Sequence, residues 1–355
     1  MLPGLNAFLS EVGTDFVVLA TGDPLVSGVG STLVRVLGSD AVSIHPAISS
    51  VALARARMGW SSETTDVVSL VSRSAYAVRR HLAPGARVVA LSAGAATPGQ
   101  LAQVLVELGL GQAPMTVLGN LGTLDESRFD CLAAELASGL ATGADGIPAL
   151  NVVAFEVPTT ASLWGSSPGL PDDAFAHDGQ ITKREIRALA IAALRPMAGQ
   201  RLWDLGAGSG SVSVEWCLAA PRTTAIAVER DPARASRVAE NAKTFGVPIT
   251  VHTGESLVAL DGLASPEAVF IGGGAREGLI EGAWRALLPG GRLVVHCVTL
   301  DTEALVVAAQ NRHGGELRRV TIERAEALGR HLSWKPARPI VQWAATKPHD
   351  TEGLS

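Results

Sequence analysis

The chain has 355 residues, 47% hydrophobic and 18% charged, with a net charge of -5. That length accommodates two domains with full cores, and the acidic balance argues against a broad nucleic-acid-binding face. No apolar run reaches membrane-spanning length, and the first 20 residues carry no Lys or Arg for a secretory n-region. Cys131, Cys217 and Cys297 lie far apart, without CxxC or metal spacing, so a cytoplasmic protein with no metal site is expected.

Asp15 to Ala20, DFVVLA, reads as a buried strand by its β-branched apolar run. It leads into the sharp turn Gly22-Asp23-Pro24. A helix-period segment with Leu33, Val34 and Leu37 follows, then a short strand Val42–Ile44, then Ser49-Ser50 opening a helix over Val51–Met58. Strands are expected at Val67–Val71, Arg87–Leu91, Met115–Leu118 and Asn151–Val157, with helices at Ser74–His81 and Thr97–Leu108 between them. Alternation of this kind makes an α/β domain over residues 1–157. Residues 158–176 shift to Pro, Gly, Ser and Asp, the composition of a linker.

A second α/β domain is expected over 177–347, with 348–355 as a tail. Its first helix opens at Thr182, with Thr182 and Glu185 as a capping box and Ile181 stapled onto Ile186, and it ends at Pro196. Then comes RLWDLGAGSGSV, Arg201 to Val212: an apolar strand breaks into Gly206, Gly208 and Gly210, and a helix follows. Alternating glycines there let a ligand lie on backbone at a helix N-terminus, where any Cβ would block it. A dinucleotide fingerprint needs its third glycine at position 211, which is Ser211. The shorter spacing, preceded by Asp204, resembles the S-adenosylmethionine loop of Rossmann-like methyltransferases. A second strand, Ala225–Val228, ends in Glu229, whose carboxylate is placed to accept from both ribose hydroxyls. NAD would use the same acid, so Glu229 alone does not separate the two cofactors. Ile249–His252 delivers Glu255 and Ser256 toward an adenine edge, and Ala268–Ile271 runs into Gly272, Gly273 and Gly274. LLPGGRLVV closes the pattern as helix end, turn and fifth strand. Asp231 and Pro232 suit the cap and first turn of another helix. His296 reads as a hydrogen-bonded core or pocket-lining residue, and Trp203, Trp216 and Trp284 as core.

Two resemblances follow from these motifs. TGDPLVSGVGSTL with HPAISSVALARARMGW resembles the tetrapyrrole methylase family, in which the Gly-Asp-Pro loop and the Ser-Ser helix start help hold S-adenosylmethionine; this assigns Gly22, Asp23 and Pro24 to the cofactor. The family's first βα unit has no counterpart here, so a late start assignment or loss of that unit is expected. Gln180-Ile181-Thr182-Lys183, DLGAGSG, Glu229-Arg230-Asp231-Pro232, GGG and Trp334-Lys335-Pro336 to Trp343 resemble the C15-methylating, decarboxylating methyltransferases of the cobalamin pathway.

Together the halves resemble the fused C5,15-methyltransferases (decarboxylating) that act on precorrin-6Y. The resemblance implies methylation at C5 and C15 with loss of the C12 acetate carboxyl, S-adenosylmethionine as cofactor, no catalytic triad, and assembly as a homo-oligomer. Thr182, Gly206, Ala207, Gly208, Ser209, Gly210, Glu229, Glu255 and Ser256 would hold the cofactor. Lys183, Gly272, Gly273 and Arg276 would face the tetrapyrrole. Because the protein is acidic and the substrate carries many carboxylates, binding needs a local basic rim, with Lys183, Arg184, Arg276, Arg324, Arg330 and Arg338 as candidates. A methyltransferase of another small molecule or of RNA, a nicotinamide-dependent reductase and a non-catalytic first half are the competing readings.

Overall fold

Apolar strands broken by glycine and polar turns build two units, Met1–Leu163 and Trp164–Ser355. The structure, a computed structural model, describes residues 5–13, 16–141 and 143–349.

In the first unit, helices α1 (Leu5–Val12), α2 (Val29–Leu37) and α3 (Ser50–Met58) precede strands β1 (Thr65–Ser69) and β2 (Arg87–Leu91). Helix α4 (Thr97–Glu107), strands β3 (Pro114–Gly119) and β4 (Ser127–Leu132), the short helix α5 (Ala133–Ala137) and strand β5 (Asn151–Glu156) complete it. The sheet order is β1-β2-β5-β3-β4; only β1 and β2 pair in parallel. Strand alternation sends Val88 and Ala90 into the core that holds Leu101 and Leu105 of α4, and Val89 and Leu91 into the one that holds Val51 and Ala54 of α3.

Three expectations fail in this unit. Residues 16–20 form no strand, and Val17 and Leu19 are 85% and 92% exposed; Asp15, the first residue of that expected strand, lies outside the described residues. β-branched residues favour strands by packing on a pleated, half-buried surface, and among the described residues no neighbouring strand offers one here. Val42–Ile44 is irregular for the same reason, and Ala75–His81 winds as a 3₁₀ helix.

The second unit comprises α6 (Arg184–Leu194), β6 (Arg201–Leu205), α7 (Ser211–Ala219), β7 (Thr224–Glu229), α8 (Pro232–Phe245), β8 (Ile249–Thr253) and α9 (Ser256–Ala259). It continues with β9 (Ala268–Ile271), α10 (Glu277–Ala286), β10 (Arg292–Cys297), α11 (Leu300–His313), β11 (Glu316–Val320), β12 (Glu323–Leu328), β13 (His331–Pro336) and β14 (Ile340–Thr346). The sheet order is β11-β14-β10-β9-β6-β7-β8; β8 through β10 run parallel, while β14 is antiparallel to both its neighbours, β10 and β11. Helices cover both faces, so β9 and β10 are buried throughout; β9 is apolar along its whole length, and β10 carries only Arg292 and His296 as polar residues. Chain direction across the sheet reverses between β6 and β9, which opens a crevice at the carboxyl ends of the strands. Trp203, Trp216 and Trp343 are fully buried, and each donates its indole N–H to a backbone carbonyl. Trp284 stacks on His313 nearby. The β12–β13 hairpin is exposed along its whole length, Trp334 included.

The later part of the stretch expected as a linker is built into this unit. Leu170 and Phe175 are buried in its core, and the Phe175 ring stacks on Phe245 at 5.0 Å. Gly169 and Leu170 donate their backbone N–H groups to the buried Glu215 carboxylate, both at 2.9 Å. Arg187 of α6, with no exposed surface, pairs with Glu215 at 2.6 Å and donates to the Leu170 and Thr182 carbonyls. The capping box is not formed. Lys183, not Thr182, is the N-cap, so Glu185 falls one position too early to reach back, and its carboxylate pairs with Arg324 instead.

Candidate cofactor site

Strand β6 ends at the crevice, and the glycine loop folds back over the end of β7. Gly206 and Ala207 both donate to the Val228 carbonyl, at 2.9 and 3.1 Å. Gly206 has φ 75° and Gly210 φ 71°, conformations that cost an L side chain strain. Their lack of a Cβ serves the protein's own packing. A Cβ on Gly206 would lie 2.9 Å from the Gly273 carbonyl oxygen, and one on Gly210 would lie 2.6 Å from Val238. The reason expected for all three glycines, room for a ligand, is joined at Gly206 by this packing need and does not hold at Gly210. Gly210 caps α7 against α8 and lies outside the cavity lining, whereas Gly206, Ala207, Gly208 and Ser209 are in it.

Buried polar groups brace this loop. Asp204 Oδ2 accepts from the Ser213 amide and hydroxyl, at 3.2 and 2.7 Å, which ties β6 to the first turn of α7. Burial pushes the Asp204 carboxyl up to about 6, and its Oδ1 has no partner among the described residues. Ser209 Oγ is likewise buried and without a partner among them. Glu229, 5% exposed at the end of β7, turns toward the loop; one oxygen accepts from Gly208 N at 2.8 Å and the other from Asp231 N at 3.0 Å. A carboxylate has about four acceptor positions, so two bonds leave capacity for hydroxyl donors. Asp231 caps α8 by accepting from Ala233 and Arg234, with Pro232 at the first turn.

The loop and Glu229 border a cavity of about 460 Å³, within the range of ligand sites. Thr182 and Lys183 line one side, Glu255 and Ser256 another, and Gly272, Gly273 and Arg276 a third. Glu255 lies 4.0 Å from Arg230. Arg276 stands at the N-cap of α10, and its side chain has no hydrogen-bond or ion-pair partner among the described residues. Lys183 pairs with Asp172 at 3.4 Å. Of the basic rim candidates, Lys183 and Arg276 line the cavity; Arg184, Arg324, Arg330 and Arg338 do not. Arg230 and Arg234, absent from that candidate set, do line it, brought there by the α8 cap that follows Glu229. Phe270 lines the floor, and its ring meets His296 edge-on at 5.0 Å. His296 is buried and bonds Gln342 at 2.9 Å; burial lowers its imidazole to about 4. Among the described residues no group of three His, Cys, Asp or Glu could hold a metal ion.

In the first unit the two sequence motifs meet. Gly22 has φ 68°, and a Cβ there would approach the Ile48 carbonyl at 3.4 Å and Ser49 and Ser50 at 3.6 Å. Asp23 accepts from Leu25 N at 2.8 Å, and the Pro24 carbonyl accepts from Gly30 N at 2.9 Å. Ser49 caps α3 by accepting from Ala52 N.

A parallel sheet with its switch point under a glycine loop, and an acid at the next strand end, defines the second unit as a Rossmann-like methyltransferase domain. Residues 173–347 match the precorrin methyltransferase domain, and residues 5–137 match the tetrapyrrole (corrin/porphyrin) methylases. A Sinorhizobium protein named precorrin-6Y C(5,15)-methyltransferase [decarboxylating] is 46% identical over 339 residues, 94% of this chain and 81% of that protein. A Mycobacterium tuberculosis protein of the same name is 44% identical over 350 residues, covering 98% and 86%. The crystal structure of the C-terminal domain of precorrin-6Y C5,15-methyltransferase from Rhodobacter capsulatus superposes with a TM-score of 0.50 at 46% identity, covering 52% of this chain and all of that one. The chain belongs to the precorrin-6Y C5,15-methyltransferase (decarboxylating) family.

Proposed function

We propose that the chain methylates a precorrin-6Y-type tetrapyrrole at C5 and C15 and removes the carboxyl of its C12 acetate, with S-adenosylmethionine as the methyl donor in both units. The observation that carries this reading is the glycine loop that ends one residue short of the dinucleotide pattern, with Ser211 opening α7, above a buried Glu229 whose carboxylate is drawn onto Gly208. That carboxylate would accept from the ribose hydroxyls. Ser209, with an unsatisfied buried oxygen, would serve the amino-acid end, and Glu255 and Ser256 the adenine edge. Bound S-adenosylmethionine supplies an activated methyl group and its own leaving group. The protein's share is then to bind, orient and exclude water. Arg276 and Lys183 at the mouth would take substrate carboxylates, with Gly272 and Gly273 leaving room for the flat ring to approach. No side chain is assigned as acid or base, because the conjugated macrocycle itself can accept the electron pair left by decarboxylation.

For the first unit the proposed cofactor residues are Gly22, Asp23 and Pro24, facing the start of α3. Titration calorimetry with S-adenosylhomocysteine tests both sites: two per chain are expected, and one after Glu229→Ala. Turnover with precorrin-6Y followed by mass spectrometry should show a gain of two methyl groups and a loss of carbon dioxide. Binding of NADH in preference to S-adenosylhomocysteine would overturn the reading.

A further inference from the structure

One face of α8 serves as a rail for the chain that precedes α6. Phe245, Asn241, Arg237 and Arg234 recur at helical spacing, and they meet in turn Phe175, Ala176 and, for both arginines, Asp178 of that chain. Phe245 stacks on Phe175 at 5.0 Å. Asn241, 2% exposed, accepts from Ala176 N at 2.8 Å and donates to the carbonyls of Ala176 at 3.0 Å and Ser209 at 2.8 Å. Arg237 and Arg234 both reach Asp178 Oδ2, at 3.0 and 2.9 Å, while Asp178 Oδ1 accepts from Gln180 N at 3.1 Å.

The two ends of this contact differ in kind. Phe175 and Asn241 are buried, whereas Asp178 and its two arginines are partly open to water, with side-chain exposures of 28–32%. Beyond Asp178 comes Gly179 at φ 93°, and then Gln180, whose carbonyl lies over Gly208, 3.7 Å from where a Cβ would stand. The next firm anchor is the Thr182 carbonyl, held by Arg187 at 2.6 Å. Residues 178–181 thus span the wall of the cavity between two fixed points; Ile181 packs against the core beneath, and Asp178 ties the segment to α8 through two ion pairs reached by solvent.

We propose that Asp178 is a positioning residue that clasps residues 178–181 to α8, and that release of the clasp from Arg234 and Arg237 sets how fast the cofactor passes over Gly208. The inference rests on the reading of this cavity as the S-adenosylmethionine site. A partly exposed ion pair is weak, which suits a part that must open on every turnover, and the Arg187 and Asn241 contacts return the chain to one position. Asp178 is held down to about 2, chiefly by its bond to Arg234, so the clasp stays charged across the working range of pH.

The test is rapid-mixing kinetics of S-adenosylhomocysteine on the full chain, following the binding phase that Glu229→Ala abolishes. Asp178→Asn should raise the association and dissociation rates together, about tenfold, with the equilibrium constant within about twofold. Arg237→Ala should raise both about threefold, although Arg237 lines no part of the cavity. Added KCl should accelerate the wild type and leave Asp178→Asn unchanged. Should Asp178→Asn fold poorly, the Arg237 and salt arms decide. Unchanged rates with the Glu229-dependent phase intact would overturn the clasp and leave the cofactor reading standing. Weaker binding without faster association would reduce Asp178 to a structural support and also overturn it. A wild type lacking that phase would overturn both.

Discussion

The two candidate cofactor loops are braced in opposite ways. In the first unit Asp23 bonds the amide two residues on, and Gly22 faces backbone atoms of Ile48, Ser49 and Ser50 at the start of α3. In the second, Glu229 reaches Gly208 across 21 residues, Asn241 reaches Ser209 across 32, and both side chains are buried. A loop held by distant buried polar groups is positioned before its ligand arrives. One held by its own neighbours takes its shape from the turn.

That contrast orders the expected effects. The largest should follow from Arg187→Met, which leaves Glu215 charged and unpaired under Leu170. Breaking such a pair costs about 3–5 kcal/mol, and urea unfolding of the full chain should place the loss in the second unit. Next, Glu229→Ala should weaken S-adenosylhomocysteine binding in the second unit about 100-fold or more, by removing a charge-assisted acceptor. Asp23→Ala in the first unit should lower affinity by less than tenfold, the turn being backbone-determined. An equal loss in both would erase the contrast.

A third effect appears only with pH. Asp204 is raised from 3.8 to about 6, so its contribution to stability is full below the lower value and is lost as pH rises through the upper one. His296 is lowered from 6.5 to about 4, so its contribution is full above 6.5 and is lost as pH falls through 4. Between pH 4 and 6.5 the two oppose. Relative to wild type, Asp204→Asn should therefore lose stability on acidification and His296→Gln should gain it. Each change should be on the order of 2 kcal/mol across the window, read from chemical unfolding at several pH values. Parallel curves would refute both assignments. The smallest effect is expected for Trp334→Ala on the exposed hairpin, within about 0.5 kcal/mol of wild type.

What could be read from the sequence was local. The bounds of β9, the Asp231-Pro232 cap and the glycine loop each follow from residues a few positions apart, and the structure has them where expected. The misses needed distant partners. Residues 16–20 have the composition of a strand and no ladder to join. Thr182 and Glu185 are spaced for a capping box, yet Arg324 takes the glutamate from 139 residues away. Gly206 and Gly210 were legible as loop glycines, but their reasons, Gly273 and Val238, lie on other elements. The polar spacing of Arg234, Arg237 and Asn241 was visible in the chain, although nothing local says that Asp178 and Ala176 meet it.

The Arg187–Glu215 pair also decides how this protein can be dissected. A fragment that starts at Trp164 keeps the Gly169 and Leu170 amides that solvate Glu215. One trimmed to residue 177, where composition alone would place the boundary, loses those donors together with the Phe175 ring that lies 4.6 Å from the Arg187 guanidinium. Two ions would be left in apolar surroundings with half their solvation removed, and the shorter fragment should come out of cells aggregated while the longer one stays in solution.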